Sequence, residues 1–366
     1  MRMRNTILSA FCGILLAMSG CIKPEAANME ADILEMTLPD SVLISPPSIT
    51  NTTVTAFVNF SKLNIKAVAP GFAVTEGAVI QPASGTPQDF TKPVTYTVTS
   101  EDGHWRKVYR VSLLQNVAPE NFSFENWTVN PDGNYYIPYE LVETEHQNIW
   151  ASGNSGFSFI TPEKQPEAYP TQRTSDAVQG QYAAYLETKP TGALGAIVGM
   201  PIAPGNLFLG SFDAAKALTA PLEATLFGIP FNKKPLRLTG YYKYVSGGAV
   251  TDKTGKPVTP ARQDQCDIYA VFFKASPEKP FLNGSNVLTD PSVAAIAQLA
   301  SGGSTPGGGY HAFNLTFTYK SEVNADDLAA FGYKIAIVYS SSKNGAVFEG
   351  AVGSKLYIDD VKIVTQ

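Results

Sequence analysis

The sequence predicts an all-β protein of two domains, and three observations support this. Apolar and polar residues alternate with period two over several short runs, as in strands with one face in a core. Gly, Pro, Asn and Ser break those runs at intervals that suit turns between strands. Just one helix is expected, from Asp290 to Ala300, with Asp290 as N-cap and Pro291 at the first helical position.

Arg2 and Arg4 precede an apolar run from Ile7 to Met18. That run is too short to span a bilayer as a stable helix, so the N-terminus is expected to be a processing signal. It ends in Ala17-Met18-Ser19-Gly20-Cys21, which resembles a bacterial lipobox, although Met18 stands where Leu is commoner. The resemblance implies cleavage before Cys21 and a lipid anchor on it, hence membrane attachment of a cell-envelope, outer-membrane lipoprotein. An ordinary secretory signal with a chance cysteine is the alternative. Residues 21–30 are polar and acidic and are expected to be a tether. They loosely resemble the charged segment that sends some Bacteroidetes lipoproteins to the outer cell surface.

Once Cys12 and Cys21 are set aside, Cys266 is the remaining cysteine, so no intramolecular disulfide is possible and each domain must hold by its core. His104, His146 and His311 are far apart and nothing has zinc-ligand spacing. A net charge of −5 without a basic run argues against nucleic acid as a partner.

The first domain is expected over residues 31–115. Val54 to Phe60 alternates, as does Pro93 to Thr99, where Val94, Tyr96 and Val98 share a face. Glu101-Asp102-Gly103 turns the chain, and Arg106 to Leu113 returns with Val111 and Leu113 inward, a hairpin. The run from Asp89 to Gly103 resembles the small Ig-like, cadherin-like sandwiches of Bacteroidetes lipoproteins, which implies a spacer.

A short linker with Ala118-Pro119 leads to the second domain, residues 120–366. Phe313, Leu315 and Phe317 alternate against Asn314, Thr316 and Thr318. Leu236, Leu238, Tyr242 and Tyr244 alternate against Arg237, Thr239, Tyr241 and Lys243. Tyr333 to Tyr339 is apolar almost throughout, as a central strand would be. Many strands and few helices fit a jelly-roll sandwich.

Several motifs in order identify this domain further: Phe124-Glu125-Asn126-Trp127, Trp150 to Asn154, Gly205 to Gly210, Gly228-Ile229-Pro230-Phe231, Gly240 to Tyr244, Ser340 to Lys343 and Ile358-Asp359-Asp360-Val361. Together they resemble the "putative carbohydrate metabolism" domain family of Bacteroidetes lipoproteins, which is similar to galactose-binding-like jelly rolls. The resemblance implies that the first and last strands lie side by side, that a structural calcium is held between them, and that the partner is an oligo- or polysaccharide. Other envelope proteins are further partners in that setting.

Calcium wants about six to eight oxygens. The expected ligands are Glu125, Asp359 and Asp360; the alternative is that the aspartates cap a bulge or accept from backbone amides. A sugar site needs aromatic faces flanked by polar groups. The candidates are Trp150, on an expected loop, with Tyr241, Arg237 and Lys243 on one polar strand face, Asp267 on a strand expected to neighbour it, and Tyr135 and Tyr136; ordinary packing is the alternative for each aromatic. Glycoside cleavage needs two carboxylates at a set separation. Glu143, Glu145, Glu187, Asp264, Asp267, Asp326 and Asp327 are available, and nothing in their spacing selects a pair. The expected function is therefore glycan binding by an envelope lipoprotein, with a glycoside-active enzyme or an adhesive protein on the same fold as the rivals.

Overall fold

The computed structural model describes residues 27–366 except 40, 44–46, 59, 116, 143, 144 and 277. The leader with Cys21, and Glu143, lie outside the described residues. The chain divides after residue 115 into two compact units.

In the first unit the strands are β1 (Ile33–Thr37), β2 (Ser48–Ile49), β3 (Thr53–Val58), β4 (Gly71–Val74), β5 (Val79–Gln81), β6 (Val94–Thr99) and β7 (Arg106–Gln115). One sheet runs β2-β3-β7-β6-β5, and β1 pairs with β4 in a second. The expected hairpin is β6–β7, with Thr99 opposite Arg106 and Tyr96, Val98, Val111 and Leu113 buried. The alternation expected over 54–60 is absent. Val54 to Val58 are all buried, because β3 lies inside the sheet beside β7 and is covered on both faces. Asp32 ties the chain before β1 to β7: its carboxylate accepts from the Tyr109 hydroxyl at 2.9 Å and pairs with Lys107.

The second unit is a sandwich of two antiparallel sheets. Its principal strands are β8 (Asn121–Phe122), β9 (Trp150–Ala151), β10 (Thr171–Thr174), β11 (Ala183–Glu187), β12 (Asn206–Phe212), β13 (Pro235–Val245), β14 (Asp267–Lys274), β15 (Val293–Gln298), β16 (His311–Thr316), β17 (Thr318–Tyr319), β18 (Tyr333–Ser340) and β19 (Lys355–Thr365). The larger sheet runs β9-β12-β18-β14-β15-β17 and the smaller β10-β11-β19-β13-β16. Alternate residues of each sheet meet between them: Leu207, Leu209, Ile268, Phe272, Ile335 and Ile337 face Leu186, Leu238, Tyr244, Phe313, Leu356 and Ile358. The first strand does pair with the last, Phe122 opposite Val361. Against β13, β19 carries a bulge at Asp360, which has φ 47° and turns its side chain to solvent.

The helix expected from Asp290 to Ala300 is a strand, β15. Its alanines have good helix propensity, but pairing with β14 and burial on both faces outweigh it. Asp290 instead closes the preceding turn, accepting from the Ser292 amide and hydroxyl at 2.9 and 2.8 Å.

Trp150 does not stand on an open loop. It begins β9 on the edge of the larger sheet and is 4% exposed, with Phe122 and Phe124 at ring-centroid distances of 5.2 and 5.4 Å. Its indole N–H donates to Glu140 at 2.8 Å. Patterning showed an aromatic beside Gly and Asn; only the closure of the sandwich buries it. Trp150→Ala should therefore cost about 3–5 kcal/mol of stability in chemical denaturation, as loss of a core Trp does. A variant as stable as the parent would put Trp150 back on the surface.

Burial pushes the Glu140 carboxyl up to about 7, against the pull of the Trp150 indole. An unfolded Glu titrates near 4.3, so the folded chain holds this proton more tightly. The stability that results is complete below about pH 4 and is lost as pH rises through about 7. Glu140→Gln should be more stable than the parent by roughly 1–3 kcal/mol at pH 8, with the gap shrinking toward pH 4. Parallel melting curves that keep the same gap at both pH values would contradict this.

Candidate functional site

The seven residues expected to form a sugar site lie in separate places. Trp150 is in the core. Tyr135 packs on Tyr169 at 5.3 Å. Tyr136 donates its hydroxyl to Glu167 at 2.6 Å and lies under the Arg173 guanidinium at 4.7 Å. Arg237, Tyr241 and Lys243 do share the outer face of β13, in the smaller sheet. Asp267 is on β14 in the larger sheet, so it does not neighbour them. Alternation tells which residues of a strand share a face but not which sheet the strand joins.

The Lys243 end of the β13 face is closed on itself. The Lys243 ammonium pairs with Asp176 and sits 3.9 Å from the ring centre of Tyr357, with Tyr310 at 5.2 Å. Tyr185 packs on Tyr357 at 4.8 Å, and the Tyr310 hydroxyl donates to the Asp176 carbonyl at 2.6 Å. The cation covers the ring face that a sugar would need.

The expected calcium ligands are also engaged. Asp359 Oδ2 accepts from the Val178 and Gln179 amides at 2.6 and 2.9 Å, and Oδ1 from Asp360 at 2.8 Å. Glu125 accepts from the Gln181 and Tyr182 amides at 2.9 and 3.1 Å. The two carboxylates hold one loop, residues 178–182. A Cβ on Gly180, at φ 67°, would come within 2.2 Å of Glu125 Oε1, so the close approach requires glycine. Amide hydrogens point where a cation would have to sit, Asp360 faces away, and no cluster of three or more metal-ligating groups occurs among the described residues. The residues do not fit a calcium ion.

The site that does form is on the outer face of the larger sheet. Strands β12, β14 and β18 are apolar on both faces, so a second core covers the outer one: Phe208, Tyr269, Val271, Phe273, Ala336 and Val338 pack against Phe227, Leu282 and Val287. The covering segments are tied together, since the Phe227 amide donates to Leu282 at 2.7 Å and the Gly284 amide to Leu222 at 2.8 Å. They leave a cavity of about 300 Å³. Phe157, Phe208, Phe212, Phe227, Tyr269 and Val338 line it, together with Asn206, Asp267, Ser340 and Lys343.

Asp267 is the one expected sugar-site residue that reaches this cavity, and among its described lining residues the one carboxylate. It is 7% exposed. Burial raises its pKa, while Gln298 and Lys343 act the other way. Four aspartates are buried in the unit: Asp264, Asp267, Asp290 and Asp359. Asp264 accepts from the Ser342 and Ser354 hydroxyls at 2.6 and 2.7 Å and from the Ala351 and Gln265 amides at 2.7 and 2.9 Å. Asp290 and Asp359 are similarly filled. Asp267 has fewer donors: the Gln298 side-chain amide, 3.2 Å from each oxygen, and the Ile268 backbone amide. An ionised carboxylate offers about four acceptor positions, so Asp267 retains capacity toward the cavity. A buried acceptor with spare capacity in an aromatic-lined hollow makes this cavity the candidate binding site.

Two of the other candidate acids are engaged by cations. Glu187 lies beside Lys189 at 3.2 Å and Asp327 beside Lys274 at 2.5 Å. The sequence did contain a signal for the cavity: Ile268 to Phe273 and Ile335 to Tyr339 are apolar on both faces, and in a sandwich the outer face then needs a cover.

Asp359→Ala would leave the Val178, Gln179 and Asp360 amides without their acceptor, a loss of about 2–4 kcal/mol. A chelator should leave the Tm of the parent unchanged. A Tm that falls with chelator and recovers with added calcium would restore the metal.

Comparison with known proteins agrees with this architecture. The chain is similar to a structure from Bacteroides thetaiotaomicron named a "putative glycoside hydrolase", at 40% identity and TM-score 0.75, covering 94% of this chain and 99% of that one. It is also similar to one from Bacteroides vulgatus of the same name, at 35% identity and TM-score 0.63, covering 69% of this chain and 100% of that one. No curated protein matches it. Residues 33–113 match the family described as "SGBP, N-terminal". Residues 123–364 match the family described as "Putative carbohydrate metabolism domain", and the chain therefore belongs to that family.

Proposed function

We propose that the protein binds glycan in the Asp267 cavity, and that a lipid on Cys21 anchors it in the cell envelope. The observation that carries the reading is the spare acceptor capacity of Asp267 within an aromatic-lined hollow. Sugar hydroxyls donate well to a carboxylate, and charge-assisted bonds of this kind are about twice as strong as neutral ones. The apolar C–H faces of a sugar ring suit the surrounding phenyl rings. Family membership supports a carbohydrate partner, and the sequence before residue 27 supports the envelope.

Hydrolysis is the second reading, suggested by the names of the two Bacteroides relatives. It requires an acid and a second carboxylate facing the scissile bond. The described cavity lining contributes Asp267 and no second carboxylate, which favours binding without cleavage.

A glycan array would identify a ligand, and Asp267→Asn would then test the site. The amide keeps the shape of the side chain and removes the charge. Affinity should fall by roughly 1.5–3 kcal/mol, the worth of a hydrogen bond to a charged group. Stability should hold or rise, because a buried charge is removed. A folded Asp267→Asn protein with the parent's affinity would place the glycan elsewhere. Release of reducing ends from the ligand would favour the hydrolase.

A further inference from the structure

The cavity is polar at one end and apolar at the other. Asn206, Ser340 and Asp267 stand opposite one another across β12, β18 and β14 and form one row of its floor. Two residues further along the same strands, about 7 Å away, Phe208, Val338 and Tyr269 form the next row. The polar row retains unused groups. The Asn206 side-chain oxygen accepts from the Gly153 amide at 2.7 Å, which leaves its nitrogen to donate, and Asp267 keeps its acceptor capacity. The Lys343 charge acts on Asp267, and both charged lining residues belong to this end. Past the apolar row, Phe227 meets Phe208 edge to face at 4.9 Å, and Leu222 and Leu218 continue the wall. Leu218 is 43% exposed, so this end reaches the surface.

A bare sugar spanning both rows would bury hydroxyls against Phe208, Val338 and Phe227 with nothing to bond. A wholly apolar ligand would cover Asp267 and Asn206 and leave their remaining hydrogen-bonding positions unfilled. A ligand that is polar at one end and apolar at the other avoids both penalties. The volume is at the low end for small-molecule sites, which suits one sugar ring and one apolar ring rather than a long chain.

We infer that the cavity takes a glycoside with an apolar, ring-bearing aglycone, the sugar held at Asn206, Asp267 and Lys343 and the aglycone against Phe208, Phe227 and Leu218. This rests on the glycan reading above and adds the class of ligand.

The test is calorimetry of the full protein with matched phenyl and methyl glycosides of a panel of hexoses, with phenol as control. For the sugars that bind, the phenyl member should bind roughly 10- to 100-fold more tightly than its methyl partner, the range expected for burying an aromatic ring. Asp267→Asn should weaken both members of a pair. Leu218→Asp, whose folding is checked by its Tm, should shrink the phenyl-to-methyl ratio by about fivefold or more. Equal affinity for phenyl and methyl partners overturns the inference and leaves the glycan reading standing. Phenol binding as tightly as the phenyl glycosides overturns both, as does no binding by any member. A ratio that Leu218→Asp leaves intact, in a folded variant, moves the aglycone out of this cavity and overturns the inference.

Discussion

Strands β14 and β18 carry apolar side chains on both faces, so the larger sheet has to be covered twice. The smaller sheet covers one face and makes the main core. The other face is left to loops and short helices between strands, such as Asn154–Phe157 and Pro221–Ala224. Such segments cannot interdigitate as closely as a second sheet, and the gap between them is the cavity. The candidate site is thus a consequence of how the sheet is made stable. The wall that keeps β14 and β18 dry also gives the hollow its aromatic lining.

Buried carboxylates show which parts of the molecule are structural. Asp264, Asp290 and Asp359 are each met by several hydroxyl, amide or ammonium donors; the first two tie loop segments together and Asp359 fastens a loop to a strand. Glu125 does the same for the loop that Asp359 holds. Burying a charge is tolerated when donors replace its water. Asp267 has one side-chain amide shared between two oxygens and its neighbour's backbone amide, and it is the buried aspartate that opens on a cavity. The difference in donors separates it from the three structural acids, although all four have the same side chain.

A similar comparison explains the aromatic residues. Trp150 and Tyr241 both looked available for a ligand, one beside small polar residues and one on a polar strand face. The edge of the larger sheet buries Trp150 under Phe122 and Phe124. On the smaller sheet, Lys243 covers Tyr357 with its own ammonium, at one end of the face that Tyr241 shares. Tyr185 and Tyr310, which complete that cluster, come from strands and loops remote in sequence. The cavity, by contrast, gathers several aromatic rings around one hollow. Of these, Phe208 and Tyr269 lie in runs that read as plain core.

The sequence by itself determined the all-β class, the inward sets of β6, β7 and β16, Leu238 and Tyr244 of β13 but not Leu236, which is exposed, and the central place of β18, because alternation is a local property imposed by water on one face and core on the other. It also carried the bracket of first and last strands, since the residues from Asn121 to Trp127 and from Gly353 to Ile363 were distinctive enough to be matched. Tertiary structure alone decided that Val293 to Gln298 is a strand, that Asp359 takes amides, and that Asp267 faces a hollow apart from Lys243 and Tyr241. In each case the deciding partner lies on another strand or loop. Helix propensity, a carboxylate's choice of donor and the sheet a strand joins all depend on what arrives from far along the chain. Local pattern contains the preference, and long-range packing sets the outcome.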